Sequence, residues 1–275
     1  LIEDESLWIG TLDAGLNRFS FENNKVETYK KRISDEGSLK ADGITSIVRA
    51  SNGNLLVGTY GGGLSVFIEK SKSFKTYLFD PNNPDSISSN NVIAISEDSA
   101  GDIWIGTENG LNFFDDSAEI VKFKGFKSSL DDPESLSSNM PWALHEDKSG
   151  TLWIGTQSGG LNSWTRDDRR RKINRFSQYL ESINLPSADV YAITSDSDGN
   201  IWMSHNRGLS RFSVDKNSTE NFDLSDGLQG SEFNHGAVFR DSKSILYFGG
   251  NNGFNIIDPS NLRKSVYLPP FFFFF

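Results

Sequence analysis

The sequence predicts an all-β protein, a β-propeller of four-stranded antiparallel blades, and three observations lead to this prediction. A motif of the type Leu-Trp-Ile-Gly-Thr occurs in six copies, which are spaced by 45 to 49 residues. A Gly-Leu or Gly-Phe pair follows each copy. No segment shows the apolar spacing of a helix over about 12 residues. The register of the copies is marked by Gly10, Gly58, Gly106, Gly155, Ser204 and Gly249.

Each copy divides into four short strands, named A to D from the axis outward. Strand A is an apolar run such as 92–96, and a turn such as 99–101 leads from it into strand B, which carries the motif. The Asp/Ser/Asn-Gly residues of this turn tolerate the positive φ of a tight hairpin. The Gly-Leu pair opens strand C, and a run such as 74–77 forms strand D. Four short antiparallel strands in about 45 residues are typical of a propeller blade.

Two columns of residues fit this geometry. Small residues are expected in strand A, because the innermost strands converge where space is least. They occur at Ser46, Ala94, Ala143, Ala192 and Ala237. Large aromatic residues of strand B are expected in the core between blades. They are Trp8, Trp104, Trp153, Trp202 and Tyr247.

The first copy begins at strand B and the last ends at strand C, so about 22 strands are expected. Residues 1–262 are expected to form a β-propeller of about six blade units, the first without its inner strand. Residues 263–275 are expected to be a linker toward a following domain. The run Phe271–Phe275 in this linker has no rationale in the sequence.

The composition excludes several classes of function. The 275 residues contain no cysteine, which excludes a disulfide scaffold, thiolate metal sites and thiol catalysis. A net charge of −10 argues against a nucleic-acid groove and against binding to an anionic membrane surface. No run of about 18 apolar residues occurs, so no part of this sequence is expected to span a bilayer.

Catalytic and metal-binding patterns are weak. His145, His205 and His235 are isolated from one another in the sequence. No Gly-x-Ser-x-Gly elbow, phosphate-binding loop or His-x-x-x-His spacing occurs. The pairs 97–98 and 146–147, both Glu-Asp, recur with the repeat and are therefore expected to be structural. We expect no enzymatic activity, no cofactor and no metal site in this chain.

The repeat resembles a known family. The pattern Val-x-x-Ile-x-Glu-Asp-x-x-Gly-x-Leu-Trp-Ile-Gly-Thr-x-x-x-Gly-Leu is similar to the two-component regulator propeller repeat, and the connectors 80–90 and 131–139 are typical of it. The resemblance extends from Leu7 to about Pro259. It implies the periplasmic sensor region of a bacterial signalling protein, often a hybrid histidine kinase that detects oligosaccharides.

The same resemblance implies features beyond this sequence. The ring would have seven blades, and a small β-sandwich would follow it, whose start resembles Leu268-Pro269-Pro270. The full-length protein would be membrane-anchored and homodimeric, so that a bound ligand changes dimer geometry and biases a distant kinase.

A binding face is expected at one end of the ring. Because strands A and B are antiparallel, the D-to-A connectors and the B-to-C turns share one face. Loops on a rigid scaffold usually carry recognition. The long connectors are 80–91, 128–140, 178–189 and 224–235.

Departures from the repeat on this face identify candidate ligand-binding residues. Where other copies end strand B in Gly-Thr, the fifth has Ser204-His205, and the sixth places Asn234-His235 at the start of strand A, where others have an apolar residue. Aromatic platforms with His, Asn and Arg donors suit a sugar or an anionic sugar. Decay of a terminal repeat explains these departures equally well. The candidates are His205, Asn206, Arg207, Trp142, Tyr191, Asn234, His235 and Tyr60.

Other interpretations stay open. The basic run 166–172 is expected to be a solvated hairpin tip, or else a docking patch for a partner subunit. A propeller enzyme of the lyase or lactonase type would need a metal or a His/acid pair at the central funnel. A pure protein-interaction scaffold would present a flat apolar rim.

Overall fold

The structure is a computed structural model that describes residues 1–115 and 121–262. It contains six antiparallel sheets of three or four strands, each formed by one repeat, so the predicted fold class is confirmed. Blades 1 to 6 contain β1–β3, β4–β7, β8–β11, β12–β15, β16–β19 and β20–β22. The strands are β1 Ser6–Gly10, β2 Leu16–Ser20, β3 Val26–Tyr29, β4 Ile44–Arg49, β5 Leu55–Thr59, β6 Leu64–Ile68, β7 Ser73–Tyr77, β8 Val92–Glu97, β9 Ile103–Thr107, β10 Gly110–Asp115, β11 Lys122–Phe126, β12 Pro141–Glu146, β13 Leu152–Thr156, β14 Leu161–Trp164, β15 Ser177–Tyr179, β16 Ala192–Ser195, β17 Ile201–His205, β18 Gly208–Ser213, β19 Ser218–Phe222, β20 Phe233–Arg240, β21 Leu246–Gly250 and β22 Gly253–Ile257.

The innermost strands pack beside one another around a central channel. Strand β4 contacts β8, β8 contacts β12, β12 contacts β16, and β16 contacts β20. The predicted small residues lie at this convergence, and four of them line the channel. They are Ser46, Ala94, Ala143 and Ala192. Side chains larger than alanine at these positions would fill the space that the channel occupies.

Blade 1 contains the three strands β1–β3, and the first residues of the chain lie beside β1. The backbone N–H of Trp8 donates to the carbonyl of Leu1 at 2.8 Å, and Ile2 forms an antiparallel bridge with Leu7. Residues 1–3 therefore occupy the end of the inner-strand position. The described residues comprise six blades, and a seventh blade stays a prediction. The expected linker 263–275 and its Phe271–Phe275 run lie outside the described residues.

The tryptophan column forms the core between blades, as predicted. Trp104 and Trp153 are less than 5% exposed, and Trp153 packs edge-on against Phe212 of the next blade, with 6.1 Å between ring centroids. The indole N–H of Trp104 donates to Asp98 at 3.0 Å, and that of Trp153 donates to Asp147 at 2.7 Å. The repeated aspartates are therefore structural, because they satisfy the polar edge of each buried indole.

The long connectors are fastened to the blades by a repeated side-chain network. In blade 3 the backbone N–H of Ser88 donates to Asn112 Oδ1 at 3.0 Å, and the Ser88 hydroxyl lies 2.9 Å from Thr107 Oγ1. In blade 4 the N–H of Ser137 donates to Asn162 Oδ1 at 2.9 Å. These bonds place the D-to-A connectors beside the B-to-C turns, which confirms the predicted shared face.

Helical structure in the described residues is confined to short segments. Helix α1 spans Arg166–Arg170 between β14 and β15, and Thr165 caps it by accepting the N–H of Asp168 at 3.1 Å. Single 3-10 turns occur at Glu181–Ile183, Leu224–Asp226 and Pro259–Asn261. No helix among the described residues is long and apolar enough to cross a membrane.

Candidate functional site

The mouth of the central channel opens on the connector face. The channel encloses a cavity of about 780 Å³, a volume within the range of sites for small ligands. Its deeper wall is aliphatic and comes from the inner strands, with Ile47, Ile95 and Ile193 among the lining residues. Its mouth carries aromatic and polar side chains, and these define the candidate site.

One ring of side chains at the mouth comes from the residue that follows strand B in each blade. Leu12, Tyr60, Glu108 and Gln157 occupy this position in blades 1 to 4, and all four line the cavity. Tyr60 is 56% exposed. Asn206 holds the same repeat position in blade 5. Of these residues, sequence reasoning selected Tyr60 and Asn206 and missed the others. The others could have been found from the sequence, because this position directly follows the repeated threonine and differs from copy to copy.

A second ring comes from a β-bulge at the start of strand A. In β12 the pairing register shifts between Pro141 and Ala143, so Trp142 is the extra residue. The same shift occurs in β4 and β8 and makes Thr45 and Ile93 the extra residues. Bulges re-aim side chains at the rims of sheets. All three residues accordingly line the cavity.

The bulge is wider in blade 6, and this corrects the predicted register. Phe233 pairs with Gly250 and Val238 with Phe248, so residues 234–237 lie opposite the single residue Gly249. Phe233, which is 2% exposed, therefore holds the apolar position that the sequence comparison gave to Asn234 and His235. Asn234 and His235 belong to the bulge and are exposed. Two inserted residues caused the misalignment.

The wide bulge brings three of the predicted residues together. The His235 ring lies 4.2 Å from the Trp142 ring and 4.3 Å from the Tyr191 ring, measured between centroids. Trp142 and Tyr191 are 5.6 Å apart. The backbone N–H of Gly236 donates to the carbonyl of Tyr191 at 2.9 Å and holds the bulge against blade 5. Blades 4, 5 and 6 thus each contribute one ring to a single aromatic cluster.

The cluster is uncharged at neutral pH. Burial lowers the pKa of His235, against the opposing influence of Asp189 and Glu232, so the imidazole is neutral at pH 7. The Tyr191 hydroxyl donates to Glu232 at 3.2 Å, and burial together with this carboxylate raises the pKa of Tyr191 to about 12. Trp142 and His235 line the cavity and can stack on an apolar ligand face, whereas Tyr191 is 7% exposed and supports the two rings from below.

His205 does not face the mouth, contrary to the expectation. It is 1% exposed, and its Nε2 lies 2.9 Å from Ser210 Oγ, while its Nδ1 accepts the N–H of Arg207 at 3.1 Å. It replaces the repeated threonine, whose side chain points into the blade, and it inherits that direction. Burial lowers the pKa of His205 to about 4. Both ring nitrogens are engaged inside blade 5, so His205 is a structural residue.

The remaining candidates lie on the same face with different exposure. Arg207 and Asn234 are exposed. Asn206 is partly buried, and its Oδ1 finds no hydrogen-bond partner among the described residues. The third histidine, His145, is structural, because its Nε2 lies 2.9 Å from Ser195 Oγ and burial lowers its pKa to about 4.

The basic run is also corrected by the structure. It forms α1 rather than a hairpin tip, and the Arg169 side chain is 8% exposed. Its guanidinium donates to Glu146 at 2.8 Å and to Asp98 at 3.3 Å. Arg170 and Lys172 are solvent-exposed, as expected. A partner-docking role for this exposed part stays a prediction.

Within residues 1–115 and 121–262, no group of three or more His, Cys, Asp or Glu side chains is arranged to hold a metal ion.

Fold and site together define a β-propeller with a ligand-sized cavity at the mouth of its channel. The family model described as two component regulator propeller matches residues 86–109, 135–158 and 184–207. These segments each cover a D-to-A connector, strands A and B, and the turn that follows. The resemblance to the two-component regulator propeller repeat found in the sequence is therefore confirmed over these three segments.

Similar proteins support this assignment. An 80-residue segment, 29% of the chain, is 28% identical to Histidine kinase P4 of Formosa agariphila and covers 6% of that protein. The solved extracellular domain of a hybrid two component system from B. thetaiotaomicron is 25% identical, with a TM-score of 0.54, over 93% of this chain and 38% of that one. This chain thus spans well under half the length of both relatives.

A further solved structure shares the fold. Virginiamycin B lyase from Staphylococcus aureus superposes with a TM-score of 0.67 at 15% identity, over 98% of this chain and 83% of that one. At this level of identity the likeness shows the propeller fold alone. It carries no information about the chemistry at the mouth of the channel.

Proposed function

We propose that this chain is the ligand-binding sensor propeller of a bacterial two-component signalling protein. It binds an oligosaccharide or another extracytoplasmic ligand at the mouth of the central channel, and the signal passes to a kinase elsewhere in the full-length protein. The observation that carries this proposal is the cluster of Trp142, Tyr191 and His235 at the opening of a cavity of about 780 Å³.

The chemistry of the mouth supports this proposal. Pyranose rings present flat C–H faces, which stack on aromatic side chains, and hydroxyl groups at their edges, which need hydrogen-bond partners. Trp142 and Tyr60 offer the first kind of contact, and Gln157 and Asn234 offer the second. Sites of this composition, mostly apolar with a few placed polar groups, are typical of small-ligand pockets.

The comparisons support the signalling part of the proposal. The similar solved structure is an extracellular domain of a hybrid two component system, and the similar curated protein is a histidine kinase. We place the propeller in the periplasm of a membrane-anchored, homodimeric protein, in which ligand bound between the rim and a partner changes the dimer geometry. The propeller itself acts without catalysis.

A thermal-shift screen of the purified chain against plant and host polysaccharide fragments tests the proposal. A ligand is expected to raise the melting temperature of the wild-type chain and not that of Trp142→Ala. A bound metal on the axis together with turnover of a glycan would instead favour a propeller enzyme. Absence of any ligand-induced shift, with protein partners captured by the rim, would favour a pure interaction scaffold.

A further inference from the structure

The residues at the mouth of the channel differ between blades at two repeat positions, and the charged side chain that lines the cavity is a carboxylate. We propose, resting on the sensor function above, that the residues at these two positions select an uncharged saccharide chain over an anionic one. The first position follows strand B, and the second is the bulge residue of strand A.

The variation at the first position contrasts with its neighbours. Strand B ends in Thr11, Thr59, Thr107 and Thr156 in the first four blades. The next residue is different in each of these blades: Leu12, Tyr60, Glu108 and Gln157. The threonines are held by bonds inside the blade, as in the 2.9 Å bond from Thr59 Oγ1 to the carbonyl of Gly63. The side chains that follow the threonines face the cavity, so the stability of the fold does not determine which residue occurs there.

The second position shows the same contrast. The residues that flank the bulge are an apolar one, such as the buried Val92, and a small one, such as Ala94. Both are fixed by packing between blades. The bulge residue changes from Thr45 and Ile93 in blades 2 and 3 to Trp142 in blade 4, and the wide bulge of blade 6 contains His235. In blade 5, Tyr191 holds the corresponding sequence position directly before β16.

This distribution makes the mouth asymmetric. Blades 1 to 3 offer Leu12, Thr45 and Ile93 together with the exposed ring of Tyr60 and the carboxylate of Glu108. Blades 4 to 6 offer the aromatic cluster together with the amide of Gln157. A saccharide that stacks on the clustered rings therefore shares the cavity with the carboxylate of Glu108.

The charges around the mouth disfavour an anion. No Lys or Arg occurs among the described residues that line the cavity, and the lining carboxylate is Glu108. Glu232 accepts the Tyr191 hydroxyl, and Asp189 acts on His235 from the neighbouring connector. Like charges brought together across a binding site weaken binding. Arg207 is an exposed cation on the same face but is not among the residues that line the cavity.

Calorimetric titration of the purified chain separates the ligand classes. Neutral hexasaccharides (cello-, xylo- and laminarihexaose) are compared with anionic ones (oligogalacturonate and heparin hexasaccharides). At least one neutral chain is expected to bind, and Trp142→Ala to weaken it by about tenfold or more, as truncation of a buried aromatic anchor does. Trp142→Phe should restore part of the affinity.

The control variant is Phe21→Ser. Phe21 is an aromatic residue away from the mouth that is 46% exposed, so its replacement should change the affinity by less than about twofold.

Charge variants complete the test. Glu108→Gln is expected to improve binding of the anionic chains and to leave the neutral one almost unchanged, because it removes the lining carboxylate. Tight binding of an anionic chain that depends on both Trp142 and Arg207 would overturn the selectivity and keep the sensor function. Neutral binding that Trp142→Ala leaves intact would overturn the location. Binding of neither class would count against the proposed function itself.

Discussion

Arg169 and Glu146 form an ion pair 2.8 Å long across blade 4, with both side chains less than a tenth exposed. The same guanidinium reaches Asp98 of blade 3 at 3.3 Å and lies 5.8 Å from the centre of the Trp104 ring. Helix α1 thus inserts one cation between two repeated carboxylates on the face opposite the mouth. These carboxylates are buried, so the arginine is needed to compensate their charge.

Replacement of this arginine should destabilise the propeller strongly. Arg169→Met leaves the buried Asp98 without its cation and Glu146 with only the longer, 3.6 Å pair to Arg166. Breaking a buried pair in this way costs about 3–5 kcal/mol. Urea unfolding followed by tryptophan fluorescence measures the loss. The matched control is Arg170→Met on the same helix, which is exposed and should change stability by less than about 0.5 kcal/mol. Equal effects of the two variants would contradict a buried ion-pair role.

The aspartate beneath each tryptophan should be needed for stability and not for binding. Asp196 is 1% exposed and accepts the indole N–H of Trp202 at 2.9 Å as well as the backbone N–H of Asn200 at 2.9 Å. Asp196→Ala orphans these donors and should cost about 1–3 kcal/mol for each donor left buried. Asp198→Ala, in the same turn but exposed, should be nearly neutral. Ligand-induced thermal shifts of the Asp196 variant should keep the wild-type size.

The motif glycine is explained by the next blade, which yields a third prediction. A Cβ at Gly155 would lie 2.5 Å from Val190 Cγ1, and valine has no flexible end that could move away. Gly155→Ala should therefore cost about 1–3 kcal/mol through overpacking. At Gly125 a Cβ would meet nothing within 4 Å, so Gly125→Ala should be neutral or slightly stabilising in the same unfolding experiment. A larger cost at Gly125 would contradict the packing argument.

The blade itself could be predicted from sequence, because its constraints repeat. Glycine, tryptophan and the small strand-A residues recur at fixed spacing, since every blade meets its neighbour in the same way. The burial of Trp104 and the shared face of connectors and turns followed from that regularity.

The departures from regularity were harder to predict. The insertion at 234–237 shifts the register of a degraded copy, and only the pairing of Phe233 with Gly250 reveals it. Arg169 looked solvated because its partner Asp98 is 71 residues away in sequence. His205 was expected to face the mouth because it is polar, although the threonine position that it occupies points into the blade.

Ser204 supplies a fourth prediction, in which a substitution stabilises the protein. It replaces the motif glycine in blade 5, and its buried hydroxyl finds no hydrogen-bond partner among the described residues. A buried unsatisfied polar group costs about 1–3 kcal/mol, so Ser204→Ala should raise the free energy of unfolding by about 1 kcal/mol. The control is Ser210→Ala, because Ser210 is equally buried but bonds His205 and Asn221 and should be destabilising when truncated. The opposite order of the two variants would contradict this assignment.

Acid should destabilise the propeller through its buried histidines. Burial lowers the pKa values of His145 and His205 from 6.5 to about 4, so between these pH values the unfolded chain binds more protons than the folded one. The free energy of unfolding therefore falls as the pH is lowered from 6.5 toward 4, by up to about 3 kcal/mol for each histidine. Urea unfolding at about pH 7.5, 5.5 and 4.5 measures how the free energy of unfolding depends on pH. His205→Gln, which keeps a polar group beside Ser210 but cannot be protonated, should remove about 2–3 kcal/mol of the loss at the lowest pH. His235→Gln, at the exposed mouth, is the control and should remove less of the loss of stability at low pH. If His205→Gln leaves the pH dependence of stability unchanged, the buried imidazole does not cause the acid sensitivity.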